Sequence, residues 1–215
     1  MTQLLLSGDE RYLRGRSTPP PPRFSETMGT FLVEGGHRLQ GRIRPAGNKN
    51  AALPCLAATV LASEPVTLHN IPRIRDVLTF LEIIESLGAE VCWDGANDVT
   101  IDASSVHMNS VDRVLAERIR ASLLLAGPLL ARFGHVELPP PGGDVIGRRR
   151  MDTHFLAFEA LGAEVTLNGG FTISAKRLLG ADMFLDEPSV TGTENAIMAA
   201  VRAEGHTRIR NGASC

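Results

Sequence analysis

The chain has 215 residues, of which 43% are hydrophobic and 21% charged, a composition typical of a globular protein large enough to bury a core. A formal net charge of −2 and an aromatic content of 5% argue against non-specific nucleic-acid binding, which depends on a cationic surface and on aromatic stacking. The three cysteines are far apart and have no His neighbours at ligand spacing, which argues against a disulfide framework or a metal site such as zinc. No apolar run reaches the roughly 18 residues of a membrane span, and we expect a cytoplasmic protein.

The first 29 residues differ in composition from the rest of the chain. They include a polyproline stretch at residues 17–22 with little apolar sequence around it, and such a segment buries too little surface to fold by itself. Met28 stands immediately before the first convincing strand. The sequence therefore predicts a disordered Pro-rich tail over residues 1–29 and a folded domain over residues 30–215.

The domain opens with a unit of strands and helices. Its second helix carries apolar residues at helical spacing and is followed by Gly88, a typical C-terminal cap. A hairpin is then indicated around Asp94 and Gly95. In chain order, the predicted elements are a strand pair (31–33 and 40–44), an Ala- and Leu-rich helix (51–62), a strand (66–69), the second helix (75–87) and the hairpin strands (89–93 and 99–102).

The same unit recurs along the chain. Residues 87–91 (LGAEV) are repeated identically at residues 161–165, 74 positions later. A common helix ending would explain this one match. It does not explain why the strand sequence at residues 66–70 also has two similar copies later in the chain, each preceded by an Ala- and Leu-rich helix. The sequence therefore predicts an α/β domain assembled from βαβαββ-type units. The strand echoes of residues 66–70 lie at 136–140 and 207–211, and the helices that precede the three strands are predicted at 51–62, 119–131 and 195–203.

The third unit differs from the first two in extent. It begins at Asn195, and the chain stops at Cys215, before a second helix and a hairpin. We therefore expect the third repeat to be truncated.

Lys49 and Asn50 stand where a loop enters the first Ala-rich helix. Free backbone N–H groups and the positive end of a helix dipole favour an anion at such a point, and Lys49 adds a full charge. The spacing of a Walker A loop is absent. The alternative interpretation makes Asn50 a helix cap and Lys49 an ordinary surface residue.

The corresponding loops of the other two units also carry polar residues. Arg120 occupies a position one repeat after Lys49, although it is equally compatible with an exposed arginine in the first turn of a helix. The loop before the third helix supplies hydroxyls from Ser189, Thr191 and Thr193, of which Thr193 is the expected cap. Repeat symmetry predicts that the three loops meet at one polar cavity.

The most unusual loop is formed by residues 139–154. Its prolines and glycines cannot continue a strand or a helix, and Asp144 is followed by three arginines at 148–150. Asp152 and His154 then lead into a helix. An acidic residue followed by cations suits binding of a phosphorylated substrate. The alternative for the arginine run is a solvated charged loop, and the alternative for His154 is a structural residue of the helix.

Four segments together resemble one enzyme family: residues 47–54 (GNKNAALP), 120–134 (RASLLLAGPLLARFG), 141–147 (PGGDVIG) and 152–154 (DTH). From about residue 31 to residue 214 the chain is similar to the UDP-N-acetylglucosamine 1-carboxyvinyltransferases, which are enolpyruvyl transferases. The related 5-enolpyruvylshikimate-3-phosphate synthases share the repeated fold but lack the Pro-Gly-Gly-Asp loop. The resemblance implies an inside-out α/β barrel domain, in which repeated helices form the core and sheets the outside.

The resemblance implies a transferase of the peptidoglycan pathway. The reaction moves the enolpyruvyl group of phosphoenolpyruvate to the 3-hydroxyl of UDP-N-acetylglucosamine and releases phosphate, without a cofactor. Family members have a second domain that supplies a catalytic aspartate and another arginine, so a separate C-terminal half is an expected partner. The alternative is a non-catalytic nucleotide-sugar-binding fragment, or half of a split enzyme that is inactive without its second domain.

The resemblance also implies roles for individual residues. Asp144, where most family members have cysteine, would be the proton donor. Arg150 stands where many members have proline, and Thr191 where many have glycine. The other implied contacts are Lys49, Arg120 and Arg149 to phosphoenolpyruvate with a share in catalysis, Asn50 to the sugar, and Asp152, His154, Ser189 and Val190 to the uridine diphosphate.

Overall fold

The structure is a computed structural model, and it describes residues 4–7, 30–33, 35, 36, 38, 40–143 and 150–213. The chain divides into two compact units, Met1–Pro45 and Ala46–Cys215, each of which is described by itself. The sequence instead places a domain boundary at residue 29, and that boundary stays a prediction.

The first unit contains one antiparallel strand pair among its described residues. Strand β1 (Leu4–Ser7) pairs with β2 (Thr30–Val33), and β2 confirms the first predicted strand. β1 lies inside the segment predicted to be a disordered tail, where three consecutive leucines precede the polyproline stretch. The second predicted strand, at residues 40–44, is wrong: this segment is irregular, with Gly41 at a φ of 150°.

The second unit begins with the complete first repeat. Its sheet has the order β3-β5-β4 with antiparallel neighbours, so the central strand separates two strands that run in the same direction. Ile101 of the central strand pairs with Val66 on one side and Val91 on the other. The elements are α1 (Lys49–Thr59), β3 (Val66–Leu68), α2 (Arg75–Ser86), β4 (Glu90–Asp94) and β5 (Asp98–Asp102).

The second repeat reproduces this sheet. Its order is β6-β8-β7, and Ile173 of the central strand pairs with Val136 and Val165, as Ile101 pairs in the first sheet. The predicted internal repeat is therefore confirmed at the level of strand register. A short helix α3 (Arg113–Ala116) leads into it, and its further elements are a 3₁₀ helix (Arg120–Leu125), α4 (Ala126–Phe133), β6 (His135–Leu138), α5 (Asp152–Ala160), β7 (Glu164–Leu167) and β8 (Phe171–Ser174).

The third group of elements is a parallel strand pair with a helix between its strands. β9 (Asp182–Phe184) pairs with β10 (Arg208–Arg210), and α6 (Val190–Ala200) connects them. The helix begins five residues before its predicted start at Asn195. Ser189 stands in an extended conformation immediately ahead of it and ends the preceding loop.

The single helix predicted at residues 119–131 is two helices in the structure. The 3₁₀ helix ends at Leu125 and α4 starts at Ala126, so Pro128 falls in the first turn of α4. Proline lacks the N–H that an α-helix needs in its interior and is tolerated in a first turn. The change of helix type therefore accommodates Pro128.

The repeat helices form the core of the second unit. Leu56, Leu129 and Ala199, from α1, α4 and α6, are completely buried. In the three-stranded sheets of this unit, buried residues alternate with less buried ones, as in β8, so one face of the sheet covers the helices and the other is nearer to solvent. This is the inside-out arrangement of helices and sheets. None of the helices described here combines the length and the apolar character that crossing a bilayer requires.

Candidate active site

The three loops that precede the repeat helices meet at one cavity of about 960 Å³. Lys49 and Asn50 line it from the start of α1, Arg120 from the 3₁₀ helix, and Ser189 and Val190 from the start of α6. Repeat symmetry thus brings together residues that are 140 positions apart in the sequence. Five of the predicted site residues share this cavity, and their roles in binding remain predictions.

The start of α1 carries the first cation of the cavity. The side chain of Asn48 accepts a hydrogen bond from the Asn50 backbone N–H at 2.7 Å. Asn48, rather than Asn50, is therefore the cap, because it is the residue with extended backbone before the helix. Lys49 Nζ lies 2.7 Å from an Asp76 carboxylate oxygen, with 44% of the Lys49 side chain and 39% of the Asp76 side chain exposed. An anionic ligand would compete with Asp76 for this ammonium group.

Arg120 is positioned beside the start of the Pro-Gly-Gly loop. Its guanidinium donates to the Arg150 backbone carbonyl at 3.2 Å. A Cβ atom at Gly142 would overlap the Glu117 backbone, so the close approach of this segment requires glycine. Gly143 then follows with a φ of 91° and lines the cavity. Two predicted site residues of this loop, Asp144 and Arg149, lie outside the described residues.

Arg150 forms an ion-pair cluster at the rim of the cavity. Its guanidinium donates to both carboxylate oxygens of Asp152, with Nε at 2.9 and 3.0 Å, and it also donates to Asp186. Thr153 donates to the other oxygen of Asp186 at 2.8 Å. The hydrogen bond from Arg150 holds the pKa of Asp152 below its usual value. Both carboxylates therefore stay ionised at neutral pH and already have a cationic partner.

His154 is part of the wall behind the cavity. The side chain is 1% exposed, and its ring nitrogens lie 3.1 Å from Thr191 Oγ1 and 2.9 Å from Asn195 Nδ2. Burial, and secondly the charge of Arg120, lower the pKa of His154 to about 4. The ring is thus neutral at pH 7. Among the described residues, Asp152 and His154 do not line the cavity, and their predicted contacts to a nucleotide stay predictions.

The start of α6 supplies the third side of the cavity. Ser189 Oγ accepts from the Gly192 N–H at 3.1 Å, so the predicted cap at Thr193 is wrong. Thr193 instead donates to the Ser189 carbonyl at 2.7 Å and accepts from the Ala213 N–H at 3.0 Å. No acidic residue stands in the first turn of α6. The positive end of the α6 dipole therefore lies at the cavity, and no carboxylate in the first turn of α6 neutralises it.

Sequence reasoning missed further charged residues that line the cavity. Two of them are acidic: Glu187 lies in the loop before α6, and Glu194 lies within α6 and has a pKa raised by burial. Asp76 in the first turn of α2 is the residue that a sequence signal could have identified, since an acid is favoured at that position. The additional charged lining residues are Arg75, Asp76, Glu117, Arg118, Glu187 and Glu194.

The arrangement suits an anionic ligand. Lys49 and Arg120 line the cavity, and so do the first residues of α1 and α6. Cationic side chains and helix N-termini both stabilise negative charge. Within the described part of the chain, no group of three or more His, Cys, Asp or Glu side chains is placed to hold a metal ion. The cations of the cavity offer charge-assisted hydrogen bonds to a phosphate or a carboxylate.

Comparison with curated proteins identifies close relatives of the chain. It is 60% identical over 184 residues to a UDP-N-acetylglucosamine 1-carboxyvinyltransferase of Bradyrhizobium diazoefficiens, a match that covers 86% of this chain and 43% of that protein. It is 54% identical over 187 residues to the protein of that name from Treponema pallidum, covering 87% of this chain and 44% of the relative. The chain thus spans less than half the length of these relatives.

Comparison with solved structures supports the fold. The crystal structure of the enolpyruvyl transferase NikO from Streptomyces tendae matches with a TM-score of 0.68 and 27% identity, over 81% of this chain and 41% of that chain. An EPSP synthase from Acinetobacter baumannii matches with a TM-score of 0.61 at 18% identity, which bears on the fold alone. A family model, EPSP synthase (3-phosphoshikimate 1-carboxyvinyltransferase), matches residues 33–215. The repeated helices, the shared cavity and these matches agree, and the chain belongs to the EPSP synthase family of carboxyvinyltransferases.

Proposed function

We propose that this chain provides the substrate-binding half of an enzyme that transfers the enolpyruvyl group of phosphoenolpyruvate to the 3-hydroxyl of UDP-N-acetylglucosamine. Phosphate is the second product, and the reaction would serve peptidoglycan synthesis in the cytoplasm. The observation that carries the proposal is the single cavity in which Lys49, Arg120 and the start of α6 meet. The 60% identity to a relative named for this activity supports the choice of substrates.

Phosphoenolpyruvate would bind to the cationic side of the cavity. Lys49 and Arg120 line that side, and we assign Arg149 to the same substrate from the family resemblance. A phosphate and a carboxylate each accept several charge-assisted hydrogen bonds, which are stronger than neutral ones. Lys49 would exchange its exposed ion pair with Asp76 for a substrate oxygen, and such exposed pairs contribute little to stability.

The nucleotide sugar would bind along α6. Ser189 and Val190 line the cavity at its start, and Asn50 faces the same space from α1. We assign the sugar to Asn50 and the diphosphate to the first turn of α6, because backbone N–H groups and the helix dipole favour a phosphate there. Asp152 and His154 support this end from behind, through Arg150 and Thr191 respectively.

Asp144 is proposed as the acid of the reaction, on the basis of the sequence and the resemblance. It would protonate the methylene carbon of phosphoenolpyruvate, which makes the adjacent carbon electrophilic towards the sugar hydroxyl. A tetrahedral intermediate then forms and loses phosphate. Repulsion from the bound phosphate favours the protonated form of a neighbouring carboxyl, so the proton is available until the transition state.

A second candidate function follows from the length of the match. The chain spans 43% of the Bradyrhizobium diazoefficiens relative, and the family resemblance implies further catalytic groups in a second domain. Alone, the chain would then bind the nucleotide sugar without turnover. Turnover would then require a separate C-terminal half as the partner of this chain.

The test is to combine the chain with the part of the Bradyrhizobium diazoefficiens relative that it does not span. Phosphate release is measured with both substrates present, for the wild type and for Asp144→Asn and Asp144→Cys. We expect release from the combined wild type, none from Asp144→Asn, and activity in Asp144→Cys that fosfomycin inhibits, because this epoxide alkylates a thiolate far more readily than a carboxylate.

Two results would contradict parts of this proposal. Full activity of Asp144→Asn would remove Asp144 from the chemistry. Binding of UDP-N-acetylglucosamine without phosphate release in the combined protein would favour the non-catalytic function.

A further inference from the structure

A chain of hydrogen bonds links the core of the second unit to the wall of the cavity. Asn195, which is completely buried, accepts from the Gly127 N–H through Oδ1 at 2.7 Å. Its Nδ2 lies 3.0 Å from the Leu123 carbonyl and 2.9 Å from His154 Nδ1. His154 Nε2 in turn lies 3.1 Å from Thr191 Oγ1, and Thr191 lines the cavity.

The direction of every bond in this chain can be assigned. A backbone N–H can only donate, so the Gly127 contact fixes Oδ1 of Asn195 as the acceptor and leaves its two Nδ2 hydrogens for the Leu123 carbonyl and His154. His154 Nδ1 must therefore accept, and a neutral imidazole then carries its proton on Nε2. Nε2–H donates to Thr191 Oγ1.

The hydroxyl hydrogen of Thr191 is consequently directed away from His154. A threonine oxygen that accepts one hydrogen bond still has its own O–H to donate. In the part of the chain that the structure describes, His154 is the one side chain or backbone group with which Thr191 Oγ1 forms a hydrogen bond. The open direction is the cavity that Thr191 lines.

We propose that Thr191 donates a hydrogen bond to a phosphate oxygen of the bound nucleotide sugar and that His154 is the positioning residue that presets it. This inference rests on the proposed function. The Thr191 O–H needs an acceptor in this direction, and phosphate oxygens at the start of α6 are the acceptors that the helix dipole favours.

The test measures binding of uridine diphosphate and of UDP-N-acetylglucosamine to the full chain by titration calorimetry. Thr191→Val, which keeps the shape and removes the hydroxyl, is expected to weaken binding of both ligands by roughly tenfold, as for a lost hydrogen bond to a charged group. Thr191→Ser keeps the hydroxyl and is the matched control, with affinity close to that of the wild type.

Variants of His154 separate positioning from a general structural role. His154→Gln places an amide N–H near the position of Nε2 and should keep most of the affinity. His154→Leu should weaken binding, but by no more than Thr191→Val does, because the Thr191 hydroxyl remains and has only lost its orienting partner. The double variant Thr191→Val/His154→Leu should bind no more weakly than Thr191→Val alone, because His154 acts through the Thr191 hydroxyl. Nitrogen NMR of labelled histidine should show the His154 proton on Nε2.

Each outcome decides between the claims. Wild-type binding that Thr191→Val leaves unchanged overturns the inference while the proposed function stands. A His154 proton on Nδ1, or equal losses in His154→Gln and His154→Leu, overturns the positioning role. If the wild type binds neither ligand, the proposed function fails, and the inference fails with it.

Discussion

At the scale of single residues, two cations that line the cavity form ion pairs with carboxylates. Lys49 contacts Asp76, and Arg150 contacts Asp152 and Asp186. These groups are largely exposed, so solvent screens their attraction and the pairs contribute little to stability. A phosphorylated ligand can therefore replace a carboxylate partner without a large loss of folding free energy.

Replacement of Lys49 by alanine tests its part in anion binding. We expect Lys49→Ala to weaken binding of phosphoenolpyruvate to the chain combined with its missing half by roughly 1.5–3 kcal/mol, since a charged hydrogen bond is lost. Titration calorimetry measures the change. Lys176→Ala, an exposed lysine outside the cavity, is the control. Equal affinities of Lys49→Ala and the wild type would return Lys49 to the role of a surface residue.

His154 predicts a dependence of stability on pH. Its pKa is about 4 in the folded chain, below the ordinary value of 6.5, because the ring is buried. Between these two pKa values the unfolded chain binds more protons than the folded chain. The contribution of the neutral, buried His154 ring to the free energy of unfolding is therefore complete above about pH 6.5 and is lost as the pH falls towards 4. The loss is about 3 kcal/mol.

Urea unfolding at pH 7 and pH 4.5 measures this loss. His154→Gln should flatten the dependence, whereas replacement of the exposed His206 by glutamine should leave it unchanged. A wild-type dependence that survives in His154→Gln would assign the proton uptake to another group.

At the scale of elements, the sequence predicted the repeats better than the ends of the helices. Identical sequence at residues 87–91 and 161–165 indicated two equivalent units. The two sheets confirm them, because Ile101 pairs with Val91 in the first sheet as Ile173 pairs with Val165 in the second. The expected N-terminal caps at Asn50 and Thr193 were wrong, because Asn48 and Ser189 are the residues with extended backbone before the helices. Where several Asn, Ser or Thr residues are neighbours, the sequence alone does not show which of them has that backbone.

The contact between α4 and α6 gives a prediction at this scale. Asn195→Ala leaves the Gly127 N–H and the Leu123 carbonyl without their partner in a buried environment, which should lower the free energy of unfolding by about 2–5 kcal/mol. Chemical denaturation measures the change. Asn168→Ala, an exposed asparagine after β7, should change stability by less than about 0.5 kcal/mol. Equal stabilities of the two variants would contradict a structural role for the Asn195 side chain.

At the scale of the whole second unit, repeat symmetry was sufficient to predict the cavity but not its charge balance. Lys49, Arg120 and Ser189 occupy equivalent loops, so their meeting point follows from the repeat. Arg75 and Asp76 come from α2 and enter the cavity through tertiary packing, which sequence spacing does not encode. His154 shows the same limit, because its burial depends on α6, 41 residues away at Asn195.

The central claim is that three separate loops form one binding site, and hydrogen–deuterium exchange tests it most directly. With UDP-N-acetylglucosamine bound to the full chain, we predict slower exchange in all three stretches that line the cavity, residues 49–54, 117–124 and 187–194. We predict no change in residues 164–174, which contain the sheet strands β7 and β8. Protection confined to one stretch, or equal protection of β7 and β8, would contradict a shared site.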